Sequence, residues 1–272
     1  MTEWQPNPEA WRADYARDGY VVVANVVESA LLEALRGGLE QVEQGMNDNT
    51  LPANLRRHVY TERDRTRNML AGKFDNDAIS NIMELPLFAP VFRDLIVYPR
   101  VLDILEALFE TTEFSFHNYK CICKMPGNEA PFQWHRDLPY LRHTSSNLIT
   151  CMLCLDPMTE ENGATVVCPG SHCIPDEAVK DSDTDIPEAE VPAERVTVTC
   201  PAGSAVLFHA SIVHGGGPNR STMKRRNAIS IWAGPDTYPV TPHHYAYEFV
   251  MPRSTNAARQ KQIQLIFGEK DR

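Results

Sequence analysis

Nine histidines lie along the chain: His58, His117, His135, His143, His172, His209, His214, His243 and His244. Just one is followed two positions later by a carboxylate, in His135-Arg136-Asp137. In a strand, positions i and i+2 point to the same face, so His135 and Asp137 can converge on one metal ion. A lone HxD triplet arises often by chance, and a third ligand must come from elsewhere. His214 in His214-Gly-Gly-Gly-Pro-Asn is the best candidate, because it ends an apolar strand and the glycines allow close backbone approach. His209 competes with it, but five positions of offset place the two on opposite strand faces. Two imidazoles and one carboxylate on one side of a metal leave positions free for a chelating cosubstrate and dioxygen, the facial triad of non-haem Fe(II) oxygenases. Arg225, eleven residues after His214, could hold the distal end of a dicarboxylate by a bidentate pair. Arg226 beside it should point away and tolerate substitution.

Other reactive side chains read more plainly. His172, in Pro169-Gly-Ser-His172, reads as a structural loop residue. His243 and His244 are adjacent, so their side chains diverge in extended chain, as surface or substrate-pocket residues do. Trp134 reads as a packing residue, and Lys120 and Lys124 as solvated, with one able to reach the site. Cys151-x-x-Cys154 lies inside the apolar run Leu148–Leu155 and has no second CxxC, so both thiols behave as small buried hydrophobes. Ser-His-Asp hydrolysis has little support without a GxSxG elbow.

The 272 residues fit one elaborated domain as well as two, at about 150 residues per domain. A hydrophobic fraction of 43% and a charged fraction of 23% are ordinary globular values. No uncharged apolar run is long enough to span a membrane. The amino terminus lacks the basic and apolar regions of a secretory signal, and seven cysteines, an odd number, suit a reducing compartment. Together these give a cytoplasmic expectation. Net charge is −10, against a nucleic-acid partner, but the excess is local. Residues 174–194 hold eight acids against Lys180 alone. Without periodicity and with Pro175, Pro187 and Pro192, this segment reads as a mobile surface insertion able to order over the site.

The elements that must position these groups run from helices to strands. Asn7, Pro8 and Gly19 bracket a first helix, Tyr20–Ala24 reads as a strand, and Leu31, Leu32, Leu35, Leu39 and Val42 mark an amphipathic helix from Glu28 with acids in its first turn. Residues 47–68, with Arg56, Arg57, Arg63, Arg65 and Arg67, read as a solvated loop or short helix, or alternatively as a lid or anion-contacting segment. A further helix follows Pro99. After Thr112, short β-rich runs (Phe114–Lys124, Asn147–Leu155, Ala164–Cys168, Arg195–Thr199, Ala205–His209, Asn227–Trp232) are split by Pro/Gly turns, and a last helix fits Ala257–Phe267. The expectation is an α+β chain with a helical part over about 1–112, a jelly-roll core over about 113–235 and an extension over about 236–272.

Taken jointly and in order, Asp18-Gly-Tyr-Val-Val-Val, Trp134-His-Arg-Asp137, Asn162-Gly-Ala-Thr-Val-Val-Cys-Pro-Gly-Ser-His172, His214-Gly-Gly-Gly-Pro-Asn-Arg-Ser221 and Arg225-Arg226 make the chain resemble the phytanoyl-CoA dioxygenase family of Fe(II)/2-oxoglutarate-dependent oxygenases. The resemblance implies a cupin-like double-stranded β-helix, iron on His135, Asp137 and His214, and Arg225 on the C5 carboxylate of 2-oxoglutarate. It further implies that Thr150, Met152, Tyr119 and Lys120 line the cosubstrate. Many relatives carry serine two residues after the distal histidine, where this chain has Gly216, so that hydroxyl contact is expected to be lost or supplied elsewhere, by Ser221 or Tyr119. The implied reaction couples decarboxylation of 2-oxoglutarate by O2, with ascorbate as a reductant, to oxidation of a C–H bond by hydroxylation, desaturation, epoxidation, epimerisation or cyclisation. Asp137 argues against halogenation, since related halogenases lack that carboxylate. A small molecule of secondary metabolism is the favoured substrate, with a fatty acyl-CoA or a non-catalytic metal-binding module as alternatives. A homodimer is one option for the assembly.

Overall fold

The computed structural model describes residues 4–64, 77–127, 130–241 and 244–268. Helix α1 (Pro8–Asp18) begins at Asn7, whose side chain accepts from the Ala10 amide at 3.2 Å, and stops at Gly19 with φ at 80°. Strand β1 (Tyr20–Val23) and helix α2 (Ser29–Asn47) follow, and α2 buries Leu32, Leu35, Leu39 and Val42. The acids expected in its first turn are absent: Glu28 precedes the helix and makes no capping bond. The arginine-rich stretch forms helix α3 (Ala53–Arg56) and strand β2 (Val59–Thr61). Arg56 bonds to Asn49, Arg57 to His58, and Arg63 pairs with Asp77, so these arginines find local partners. Arg65 and Arg67 lie outside the described residues. Strand β3 (Ile79–Met83), helix α4 (Pro90–Asp94) and helix α5 (Pro99–Phe109) lead into the strand-rich part.

There the strands are β4 (Ser115–Lys124), β5 (Phe132–His135), β6 (Leu148–Cys154), β7 (Thr165–Val167), β8 (Val196–Thr197), β9 (Ala205–His209), β10 (His214–Gly216) and β11 (Arg225–Ala233). Helix α6 (Leu138–Leu141) interrupts them and α7 (Ala257–Phe267) follows. They build two antiparallel sheets, one ordered β1-β9-β6-β11-β4-β3-β2 and the other β5-β10-β7-β8. Strand alternation sorts side chains between two cores. Ile149, Cys151, Leu153 and Leu207 pack with the helices, whereas Leu148, Met152, Val206, Phe208 and Ile229 pack with Val167 and Val198 of the smaller-sheet region. The result is an α+β jelly roll, open rather than closed into a barrel. Strands β2, β3, β5 and β10 escape the periodicity reading because they are short and rich in polar residues; pairing onto neighbours makes them strands.

The acidic segment is docked, not a free insertion. The Arg136 amide donates to the Asp183 carbonyl at 2.9 Å and the Ile186 amide to the Trp134 carbonyl at 2.7 Å. Ile186 and Val191 bury against Cys168 and Val213. Several acids have defined partners: Asp176 accepts from the Ser146 amide, Asp183 pairs with Arg136 at 3.2 Å, and Glu188 accepts from Trp134 Nε1 at 2.8 Å. Charge density alone concealed these two apolar anchors. No helix among the described residues is long and apolar enough to cross a membrane.

Candidate metal centre and its pocket

Strands β5 and β10 are neighbours, and His135 and His214 face each other as register partners with ring centroids 4.1 Å apart. Asp137 joins them by a different route from a shared strand face. Strand β5 ends at His135, and Asp137 has turned to φ −75°, ψ −31°, at the start of α6, where its amide donates to the Ala210 carbonyl. That turn brings Asp137 Oδ1 to 3.8 Å from Nε2 of both histidines. All three ligand atoms lie within 4.8 Å of one another. The 3.8 Å separations are under twice a metal–ligand bond of roughly 2.1 Å.

His214 opens β10 and does not close an apolar strand. The apolar strand β9 ends at His209, and residues 210–213 carry the chain to the other sheet. His209 is therefore separated from the centre by a change of sheet, not by the face of one strand. Its Nδ1 accepts from the Ser211 amide at 3.1 Å, and its ring lies 5.6 Å from His172 and 6.3 Å from Tyr15.

Backbone carbonyls orient both imidazoles at the centre. His135 Nδ1 lies 2.7 Å from the Gln133 carbonyl and His214 Nδ1 lies 3.1 Å from the Ile212 carbonyl. A carbonyl can only accept, so the ring proton sits on Nδ1 and the Nε2 lone pair turns toward Asp137. Burial, then the neighbouring His214, push the His135 pKa down to about 3, which keeps the ring neutral and able to ligate. Burial opposes ionisation of Asp137, yet His214, Lys120, His135 and the Thr150 hydroxyl together hold its carboxyl below the ordinary range. Thr150 Oγ1 donates to Asp137 Oδ2 at 2.7 Å.

The triad opens into a cavity of about 80 Å³. Ile122, Phe132, Met152, Phe208 and Ile229 make it largely apolar, and Lys120, Thr165 and Arg225 add polar groups. Arg225 is 3% exposed, and burial pushes its pKa down to about 10. Its Nη1 donates to the Gly163 carbonyl at 2.9 Å, while its buried Nε has no partner among the described residues. Arg226 faces the other way, as strand alternation requires, but it is no tolerant surface residue. It is 4% exposed and holds Asp156 through two bonds of 2.8 and 3.0 Å.

Three expectations change. Tyr119 lies on the helix side of β4, buried against Phe116 at 6.2 Å, away from the cavity. Ser221 spends its hydroxyl on Asn219 Oδ1 and the Met223 carbonyl. Lys124 is 1% exposed rather than solvated, donates to the Gly163 carbonyl at 3.2 Å and to the Gly217 carbonyl, and stands over the Phe132 ring. A Cβ at Gly216 would come within 3.4 Å of Lys124 Nζ, so this ammonium occupies the ground next to the missing side chain. Thr150 lines the cavity, and its hydroxyl reaches Asp137. Met152 and Lys120 line the cavity. Cys151 packs on the helix side, while Cys154 lies 3.4 Å from Cys200. His244 is exposed and His243 lies outside the described residues.

Comparison with known proteins points to one family. The family described as phytanoyl-CoA dioxygenase (PhyH) matches residues 15–227. A probable alpha-ketoglutarate-dependent hypophosphite dioxygenase of Stutzerimonas stutzeri is 30% identical over 196 residues, covering 66% of each chain. The dioxygenase aneA of Aspergillus aculeatus is 32% identical over 60% of this chain and 55% of its own length. The chain thus spans between about half and two thirds of these curated relatives. Among solved structures, the non-heme alpha ketoglutarate dependent carbocyclase SnoK from nogalamycin biosynthesis superposes with a TM-score of 0.68 at 19% identity, covering 93% of this chain and 90% of that one.

Proposed function

The chain belongs to the phytanoyl-CoA dioxygenase family, and from that premise we propose that it is a non-haem Fe(II)/2-oxoglutarate-dependent oxygenase acting on a C–H bond of a small organic molecule. One observation carries the reading: Asp137 Oδ1 stands 3.8 Å from both histidine Nε2 atoms, in the same cavity that Arg225 closes with an Nε that has no partner among the described residues. A structural metal site would use four protein donors; three donors beside an open, largely apolar cavity suit a site that must admit other ligands.

In this proposal His135 Nε2, His214 Nε2 and Asp137 Oδ1 hold the iron. When bound, Fe(II) with 2-oxoglutarate and O2 supplies decarboxylation to succinate and CO2 and the oxidising power for the C–H bond. Arg225 takes the C5 carboxylate, for which its planar fork and its desolvated position are suited. Met152, Ile122, Phe208 and Ile229 exclude water around it, strengthening each charged contact. Secondary-metabolite tailoring fits better than acyl-CoA hydroxylation. Arg225 is the one arginine lining the cavity among the described residues, and Arg56, Arg57 and Arg63 pair locally instead of presenting a phosphate site.

Succinate formation from 2-oxoglutarate with Fe(II) and ascorbate tests the class directly. A mass-spectrometric screen of candidate metabolites for a gained oxygen or two lost hydrogens tests the substrate. Metal binding without any 2-oxoglutarate turnover would leave the non-catalytic metal-binding module as the better reading.

A further inference from the structure

The cavity-facing side of β4 changes with distance from Arg225. In register, Lys124 stands opposite Arg225, Ile122 opposite Asn227, Lys120 opposite Ile229 and Asn118 opposite Ile231. Lys120 is thus four residues of β11 away from Arg225, about 13 Å of strand, and beside the triad. It lines the cavity, its ammonium has no hydrogen bond among the described residues, and its charge acts on both Asp137 and His135. One row further out on the same strand face, beyond the residues that line the cavity, Asn118 is 7% exposed; its side chain bonds to Tyr245, and its buried Oδ1 has no donor among the described residues. Ile231, its register partner, lies between it and Thr150, the residue that holds Asp137.

Charge balance gives these two groups a task. In the loaded site proposed above, the divalent ion and Arg225 are offset by Asp137 and the two carboxylates of 2-oxoglutarate. Lys124 adjoins this set with its ammonium held by the Gly163 and Gly217 carbonyls, and Lys120 is then the positive charge in excess among the groups that line the cavity. Lys120 is half-buried at the wall of that cavity, where its charge attracts an anion more strongly than it would in open water.

We infer that Lys120 and Asn118 form the substrate subsite, and that the substrate is a small acid bearing a carboxylate or phosphorus oxyanion. The anion pairs with Lys120, and a neighbouring hydroxyl or amide N–H donates to Asn118 Oδ1. This assignment rests on the oxygenase reading and makes Lys120 a specificity-determining residue rather than a cosubstrate ligand.

Calorimetry on the full chain loaded with Mn(II) and 2-oxoglutarate tests it, with acetate, 3-hydroxypropionate, methylphosphonate and neutral acetamide as probes. At least one of the anions should bind saturably and acetamide should not. Lys120→Gln should weaken anion binding by about tenfold or more, the scale of one lost charged contact, and Lys120→Arg should restore part of it. Asn118→Ala should weaken 3-hydroxypropionate more than acetate. The inference is overturned if no anion binds, if Lys120→Gln binds anions as the wild type does, or if that variant instead loses tenfold in 2-oxoglutarate affinity, which would put Lys120 on the cosubstrate. Failure of the Mn(II) protein to bind 2-oxoglutarate at all would bring down the oxygenase reading and this inference with it.

Discussion

Thr150 Oγ1 donates to Asp137 Oδ2 at 2.7 Å, and this one bond decides which carboxylate oxygen faces the two imidazoles. With Oδ2 occupied, Oδ1 is left as the single ligand atom. Thr150→Val keeps the shape and removes the donor. It should weaken Fe(II) or Co(II) binding by about 10- to 100-fold, as loss of a ligand's supporting hydrogen bond does. Thr150→Ser should keep most of the affinity. Titration followed by the Co(II) visible spectrum reads both, and wild-type affinity in the valine variant would show that the bond has no orienting role.

His135→Ala, Asp137→Ala and His214→Ala should each abolish succinate formation and lower metal affinity while the circular dichroism spectrum stays native. His209→Ala should instead cost stability, since that ring packs between His172 and Tyr15 outside the centre. A triad variant with near-normal turnover would remove that residue from the ligand set.

The two adjacent arginines should fail in different assays. Arg225→Ala should raise the 2-oxoglutarate requirement roughly 30- to several-thousand-fold, from about 2–5 kcal/mol for a lost desolvated charge pair, with Arg225→Lys recovering part. Arg226→Ala leaves Asp156 buried without its bidentate partner and should lower unfolding stability by about 3–5 kcal/mol. Kinetics in 2-oxoglutarate and urea melts separate the two; exchanged outcomes would mean the β11 register is off by one.

Acid should destabilise the metal-free protein early. Burial, then His172, push the His209 pKa down to about 4, and His135 is pushed to about 3, whereas both return to about 6.5 on unfolding. Between those values the unfolded chain binds more protons than the folded one, so stability falls as pH falls below about 6.5. For His209 alone the loss is up to about 3 kcal/mol by pH 4, at 1.36 kcal/mol per unit. His209→Asn, whose amide oxygen can still accept from the Ser211 amide, should flatten the dependence in urea melts between pH 7 and 5. An unchanged slope would exclude His209 as a source.

Much of this molecule can be read from its residues. Asn7 and Gly19 do mark the ends of α1, and the long apolar runs become β4, β6, β9 and β11 because their side chains alternate between two buried faces. The triad residues and Arg225 are visible through residue type and order. What stays hidden depends on contacts between distant segments. Strand β10 is three residues, two of them glycine, and carries no period. Asp137 reaches the histidines by a turn that the Ala210 carbonyl fixes. Lys124 is buried by the carbonyls of Gly163 and Gly217, which no local pattern announces, and Ile186 and Val191 anchor the acidic segment from within a run of charges.

His135 and His214 are direct partners across the β5–β10 pair, one of the shortest pairings in the fold. Such brief strands have few hydrogen bonds with which to define their alignment, and a shift by a single residue would turn every side chain to the opposite face. An ion gripped by both imidazoles is compatible with one alignment only. Metal loading would then serve the fold as well as the chemistry, as a pin through the smaller sheet, slowing amide hydrogen exchange along β5 and β10 far more than in the seven-stranded sheet behind them.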